Sequence, residues 1–176
     1  MRPIINIDEA PLGRELVHGD AFAARVHPLA DKIGAGLIGA NVTRVAPGKA
    51  AFPFHHHYAN EEHFFILSGT GVLRLGDTVH PVRPGDYVVT PPGGPETAHQ
   101  FVNTGSEDLV YLAISTRLAP EIAGYPDSGK LLMTNVAYPA TGFRAIVARD
   151  HLDTVTYWDG EDGSTVKAVA RSGMDD

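Results

Sequence analysis

The 176-residue sequence contains no cysteine. Disulfides, thiol nucleophiles and thiolate metal ligands are therefore excluded, so any bound metal must be held by nitrogen and oxygen. Positive charge is also scarce: 14 Lys and Arg stand against 21 Asp and Glu, a formal net charge of −7. A nucleic-acid binder needs a basic face to neutralise phosphates, so that class is not expected, nor is binding to an anionic membrane surface. Long apolar runs are missing too. Ile4, Ile5 and Ile7 give way at once to Asp8 and Glu9, short of the roughly 7–15 apolar residues of a secretory leader. Nothing approaches the ~20 apolar residues of a membrane span. These absences lead to the expectation of a cytoplasmic protein. Its length suits one domain with a sizeable core.

Glycine and proline, by contrast, are frequent, at 19 and 13 residues. They punctuate the chain so closely that few long helical patterns survive. Leu37 to Ala46, Phe64 to Leu67, Val72 to Leu75, Tyr87 to Thr90, Gln100 to Val102 and Leu109 to Thr116 read as strands. Turn signals such as Pro47-Gly48, Ser68-Gly69, Gly76-Asp77, Pro84-Gly85 and Thr104-Gly105 separate them. Short strands at even spacing predict an all-β sandwich or barrel. Residues 1–30 are less regular and read as an N-terminal arm or edge strands. Residues 31–120 read as the barrel core, 121–163 as a segment completing or packing on it, and 164–176 as a flexible tail.

The chemistry is concentrated in "PFHHHYANEEHFFILSGTG", Pro53 to Gly71. Alternate side chains of a strand share a face, so His55 and His57 point one way and His56 the other. A turn at Tyr58-Ala59-Asn60 brings Glu61 or Glu62 level with the histidine pair. His99 opens another strand after a Pro/Gly-rich turn. Two histidines at i and i+2, a carboxylate from the next strand and a third histidine form a donor set that suits Mn, Fe, Co, Ni or Zn.

The run from Gly48 to Gly69 resembles the first sequence motif of the cupin superfamily: Gly, then His-x-His, Glu and Gly. The spacing matches His55, His57, Glu62 and Gly69, which selects Glu62 over Glu61, although six rather than five residues lie between Gly48 and His55. Gly85 to Asn103 resembles the second motif at Gly85, Pro91, Gly93, His99 and Asn103. There the turn before His99 is five residues long instead of two. The resemblance implies a double-stranded β-helix, the jelly-roll barrel, with N- and C-terminal extensions. It also implies one divalent metal held by His55, His57, Glu62 and His99, and a homodimer.

Other signals do not survive scrutiny. "GAGLIG" at Gly34 to Gly39 spells a dinucleotide fingerprint, but strand-like residues follow where a helix should start. Glycines easing a bent barrel strand are the expected reading. His18, His27, His80 and His151 are isolated, and His56 and His63 fall on the face away from the metal. The tail phrases "YPDSGK" and "YWDGEDG" resemble those of bacterial single-domain cupins without an assigned activity.

Three neutral imidazoles and one carboxylate leave a divalent centre with a formal charge of about +1, suited to anionic oxygens. Parity turns Phe64, Ile66 and Phe101 inward as apolar walls. Tyr111, Tyr87 and Glu96 are the acid/base candidates, and no catalytic residue is fixed. The expected function is a small-molecule metalloenzyme, either a Lewis-acid isomerase, epimerase or lyase or an O₂-dependent dioxygenase. The alternative is a non-catalytic cupin that binds or senses a sugar or organic acid.

Overall fold

A computed structural model of the chain describes residues 3–8, 13–135, 142–152, 156–157 and 159. The described residues form thirteen strands and no α-helix. In chain order they are β1 (Arg14–His18), β2 (Phe22–Pro28), β3 (Ile38–Val45), β4 (His56–His57), β5 (Glu62–Ser68), β6 (Gly71–Leu75) and β7 (Thr78–Val82). There follow β8 (Tyr87–Thr90), β9 (His99–Asn103), β10 (Leu109–Thr116), β11 (Glu121–Tyr125), β12 (Lys130–Thr134) and β13 (Arg144–Ala148). One sheet runs β1-β2-β3-β10-β5-β8. Facing it, β13-β12-β11-β4 and β7-β6-β9 lie end to end, linked by a bridge between His55 and His99. The result is the all-β double-stranded β-helix, with the segments that carry His55, His57 and His99 in one wall and β5, which carries Glu62, in the other.

The alternation of β5 shows how the pattern becomes packing. Phe64 and Ile66 are buried while Phe65 between them is exposed. Opposite them β10 contributes Leu109, Tyr111 and Ala113, and β6 and β9 contribute Leu73 and Phe101, to one core cluster. Gly69 ends β5 with φ +77°, and a Cβ there would run into the backbone of Asp108 and Leu109. Only glycine suits such a left-handed, closely approached position. Asn103, the last residue of the second motif, is fully buried and structural. Its Nδ2 donates to the Val45 and Glu107 carbonyls, both at 2.8 Å, and its Oδ1 accepts from the Gly105 N–H at 2.9 Å.

Sequence reading missed several strands for definable reasons. Pro81 lies inside β7, which hides its strand character. The strand survives because β7 is a sheet edge, where a missing N–H costs no ladder bond. β1 and β2, in the region expected as an arm or edge strands, form an antiparallel pair on the edge of the six-stranded sheet, β1 mostly exposed and β2 mostly half-buried. In "GAGLIG" only Ile38 and Gly39 belong to a strand; Gly34, at φ 80°, caps a short 3₁₀ turn over Ala30–Ile33 instead. Trp158, the side chain of His151 and the 164–176 tail lie outside the described residues.

Candidate metal centre

Three strand segments supply the four donors. His55 sits in the bridge to β9, His57 ends the two-residue β4, Glu62 opens β5 and His99 opens β9. Their side chains converge between the two sheets. The Nε2 atoms of His99, His57 and His55 lie 3.0, 3.3 and 4.0 Å from a single atom, Glu62 Oε2. The donor atoms of His55, Glu62 and His99 all fall within 4.8 Å of one another, a grouping that can hold a metal ion. His57 stands slightly apart, its ring centroid 6.4 Å from that of His99 against 4.6 Å between His55 and His99.

Two of the three imidazoles are anchored at the far nitrogen. His55 Nδ1 donates to the Pro53 carbonyl at 2.8 Å and His99 Nδ1 to the Thr97 carbonyl at 3.4 Å. His57 Nδ1 faces Glu121 Oε1 at 3.6 Å. A carbonyl can only accept, so both anchored rings carry their proton on Nδ1 and present a bare Nε2 to the cluster. His99 Nε2 and Glu62 Oε2 are buried and make no aligned hydrogen bond despite their proximity. Buried polar atoms rarely go unpartnered, so two such atoms aimed at a shared point suit a cation between them.

The electrostatics agree. Burial, with the neighbouring His99 and His57 charges, lowers His55 to about 3, so it stays neutral as a ligand must. Burial pushes Glu62 upward, yet the close approach of His57 and His99 outweighs it and holds the carboxyl well below its usual range. At His57 burial works downward, and the carboxylates of Glu121 and Glu62 together overcome it and raise the ring to about 9. The two carboxylates thus draw positive charge into the cluster.

The neighbouring histidines and glutamate do something else. His56 is 1% exposed on the opposite face; its Nδ1 donates to the Gly93 carbonyl at 2.8 Å, and its ring meets Tyr58 edge-on. Gly124 leaves room for that ring, which any Cβ there would strike. The Gly93 N–H in turn donates to the His57 carbonyl at 2.8 Å. The long turn before His99 therefore clamps the His-x-His strand from both sides. Glu61 pairs with His63 at 2.8 Å on the outer surface, where His63 also meets the Tyr87 hydroxyl at 2.6 Å. Tyr87 is consequently far from the cavity side. Glu96 is exposed and binds the Gly94 N–H at 2.8 Å within its own turn. Of the three acid/base candidates only Tyr111 borders the site, and burial raises its phenol so that it stays protonated.

A cavity of about 200 Å³ holds the donor set, with Phe64, Phe101, Tyr111 and Ala113 as apolar walls and Asn41 and Gln100 as polar ones. Two functional neighbours escaped sequence reading. Glu121, buried at 7% exposure, reaches His57 and hydrogen-bonds Asn60. Tyr125 stacks on His55, centroids 5.9 Å apart and planes 20° apart. Burial raises the Tyr125 phenol, and the nearby Arg144 charge opposes that rise. Both come from β11, which pairs with β4 through Ala123↔His57 and Gly124↔His56. No local pattern announces that pairing, although the alternation in "EIAGY" could have marked the strand.

Comparison with known proteins bears on this geometry. Residues 41–115 match the family model described as "Cupin domain". A crystal structure of a candidate sugar phosphate isomerase from Acidithiobacillus ferrooxidans superposes with a TM-score of 0.75 at 27% identity. That match covers 88% of this chain and 97% of the other. An uncharacterized protein of Methanocaldococcus jannaschii is 29% identical over 115 residues, 65% of this chain and 79% of its own length. Auxin-binding protein 1 of Arabidopsis thaliana is 39% identical over 89 residues, 47% of this chain and 43% of its own length.

Proposed function

We propose, for a chain that belongs to the cupin superfamily, the function of a divalent-metal-dependent enzyme acting as a Lewis acid on a small oxygen-rich or anionic substrate, in isomerase, epimerase or lyase chemistry. One observation carries the reading. Three imidazoles present Nε2 to one carboxylate oxygen inside an apolar cavity, with two of the rings anchored at Nδ1 by backbone carbonyls. His55, His57, Glu62 and His99 would hold the ion. Bound there, it would polarise a carbonyl or hydroxyl oxygen of the substrate. The likeness to a candidate sugar phosphate isomerase over nearly the whole chain supports this branch over the oxygenase branch.

The remaining roles belong to the chain itself. Phe64 and Phe101 exclude water and shape the cavity, and Tyr111 stays protonated as a hydrogen-bond donor rather than a base. Glu121 stands behind the ring of His57, its carboxylate 3.6 Å from Nδ1, and would orient that ring once it ligates. The same reading takes the protein as a homodimer, supported by the exposed edge strand β1, where Val17 is 73% exposed.

Metal analysis of purified protein tests the reading. Manganese, zinc, cobalt or nickel near one equivalent, with no O₂ uptake, supports it. Iron with O₂ uptake favours the dioxygenase, and no metal at all overturns it. A binding role is the second reading, favoured by the 39% identity to auxin-binding protein 1. Ligand binding without turnover by metal-loaded protein would select it.

A further inference from the structure

A larger cavity, of about 690 Å³, adjoins the metal site. Phe52 lines both spaces. The strand registers place parts of both linings on one sheet face. In an antiparallel pair, directly opposed residues share a face. Ala123 opposes both His57 and Leu132, and Leu132 opposes Ile146, so the face that carries His57 runs across β11 and β12 to β13. Two residues to either side, by strand alternation, the same face carries the pairs Tyr125–Lys130 and Thr134–Arg144. The β1–β2 pair, with Arg14 opposite Val26, forms the other wall. The large cavity thus borders the metal cavity at Phe52 and opens over the same sheet face, and it is called the mouth below.

Its charge is one-sided. Arg14, Lys130 and Arg144 line it, with no Asp or Glu among its described lining residues, in a chain of net charge −7. Arg25, Arg74 and Arg117 elsewhere are each satisfied by Glu15, Asp127 and Asp31. The three mouth cations form no ion pair among the described residues. Lys130 instead lies over the Tyr125 ring, Nζ 5.3 Å from its centroid, and Tyr125 stacks directly on His55. One cation–π contact and one ring stack thus connect the mouth cation to a metal-ligand candidate. Unpaired cations gathered in a concave site with apolar walls focus potential on an anion.

We propose that this mouth is an anion subsite for the phosphate monoester of the substrate, with Lys130 and Arg144 taking the phosphate while the polyol end reaches the metal cavity. The inference rests on the metal-site reading above and adds the substrate class to it: a phosphorylated sugar rather than a neutral one. Lys130 and Arg144 are binding residues here, remote from the four donors.

Calorimetry of the metal-loaded protein with D-ribose 5-phosphate, D-ribose and inorganic phosphate tests it. The phosphate ester is expected to bind at least tenfold tighter than the free sugar. In Lys130→Ala/Arg144→Ala that preference should vanish while metal content and ribose affinity stay unchanged. Equal affinity for ester and sugar in the wild type, or a preference that survives the double substitution, would overturn the subsite. If the wild type takes up no metal but still binds inorganic phosphate through Lys130 and Arg144, the metal reading fails and the subsite stands. If the double substitution lowers the oligomer mass in sedimentation and leaves phosphate binding untouched, the mouth is an interface between copies and the proposal falls.

Discussion

Two clusters on the same strand use the same residue types and end up with different chemistry. On the inner face of β5, Glu62 meets His55, His57 and His99; on the outer face, Glu61 and His63 meet Tyr87. The outer set is a pair plus a hydroxyl, with His63 and Glu61 at 29% and 42% side-chain exposure, and its hydrogen bonds satisfy both nitrogens of His63. The inner set brings three imidazoles to one oxygen and leaves buried donor atoms without aligned partners. Composition does not distinguish the clusters. Convergence and burial do, and a one-residue change of strand parity decides which glutamate receives them.

Removing a donor should separate the clusters most. His57→Ala is expected to lower metal affinity by more than about 100-fold, because three N/O ligands without thiolates hold a divalent ion poorly. His63→Ala should leave it unchanged, as titration with a chromophoric chelator would show. Removing the carboxylate behind the ligand comes next. Glu121→Gln should weaken metal binding by about 10–100-fold, the usual cost of losing a partner that orients a ligand. An equal effect from Glu61→Gln would erase the distinction between inner and outer sites.

Smaller effects should appear in folding. Gly124→Ala places a methyl against the buried His56 ring. Overpacking of this kind costs about 1–3 kcal/mol, read as a lowered urea midpoint, and it should displace β4 and reduce metal uptake with it. His63→Ala, by contrast, should change stability by about 0.5 kcal/mol or less, as surface substitutions do. Smallest is a proton count. His57, raised to about 9, is protonated at pH 7.5 and must shed that proton to ligate through Nε2. Metal binding should therefore release about one proton at pH 7.5 and progressively less as pH rises past 9. Calorimetry in buffers of different ionisation enthalpy measures it, and release that does not fall with pH would contradict the assignment.

Much of this was legible in local pattern. Tyr87–Thr90 and Leu109–Thr116 carry β-rich apolar runs bounded by turn residues, and the structure places those two strands at the same bounds. Strand parity from His55 to Phe65 separates the inner residues from the outer ones because the side-chain period is two. What stayed hidden is non-local. Glu121 and Tyr125 reach the site only because β11 pairs with the two-residue β4, some sixty residues earlier in the chain. The part played by His56 depends on Gly93 and Gly124 coming from two further segments. Lys130 and Arg144 share a face with His57 only through successive cross-strand registers, which a linear reading cannot supply.

The parity claim is tested most directly by metal stoichiometry in Glu62→Gln and Glu61→Gln, measured by inductively coupled plasma mass spectrometry after identical loading and dialysis. Near one equivalent of metal is expected in Glu61→Gln, as in the wild type, and strong loss in Glu62→Gln. Metal retained by Glu62→Gln and lost by Glu61→Gln would contradict it, and would place the functional face of β5 on the side assigned here to the solvent.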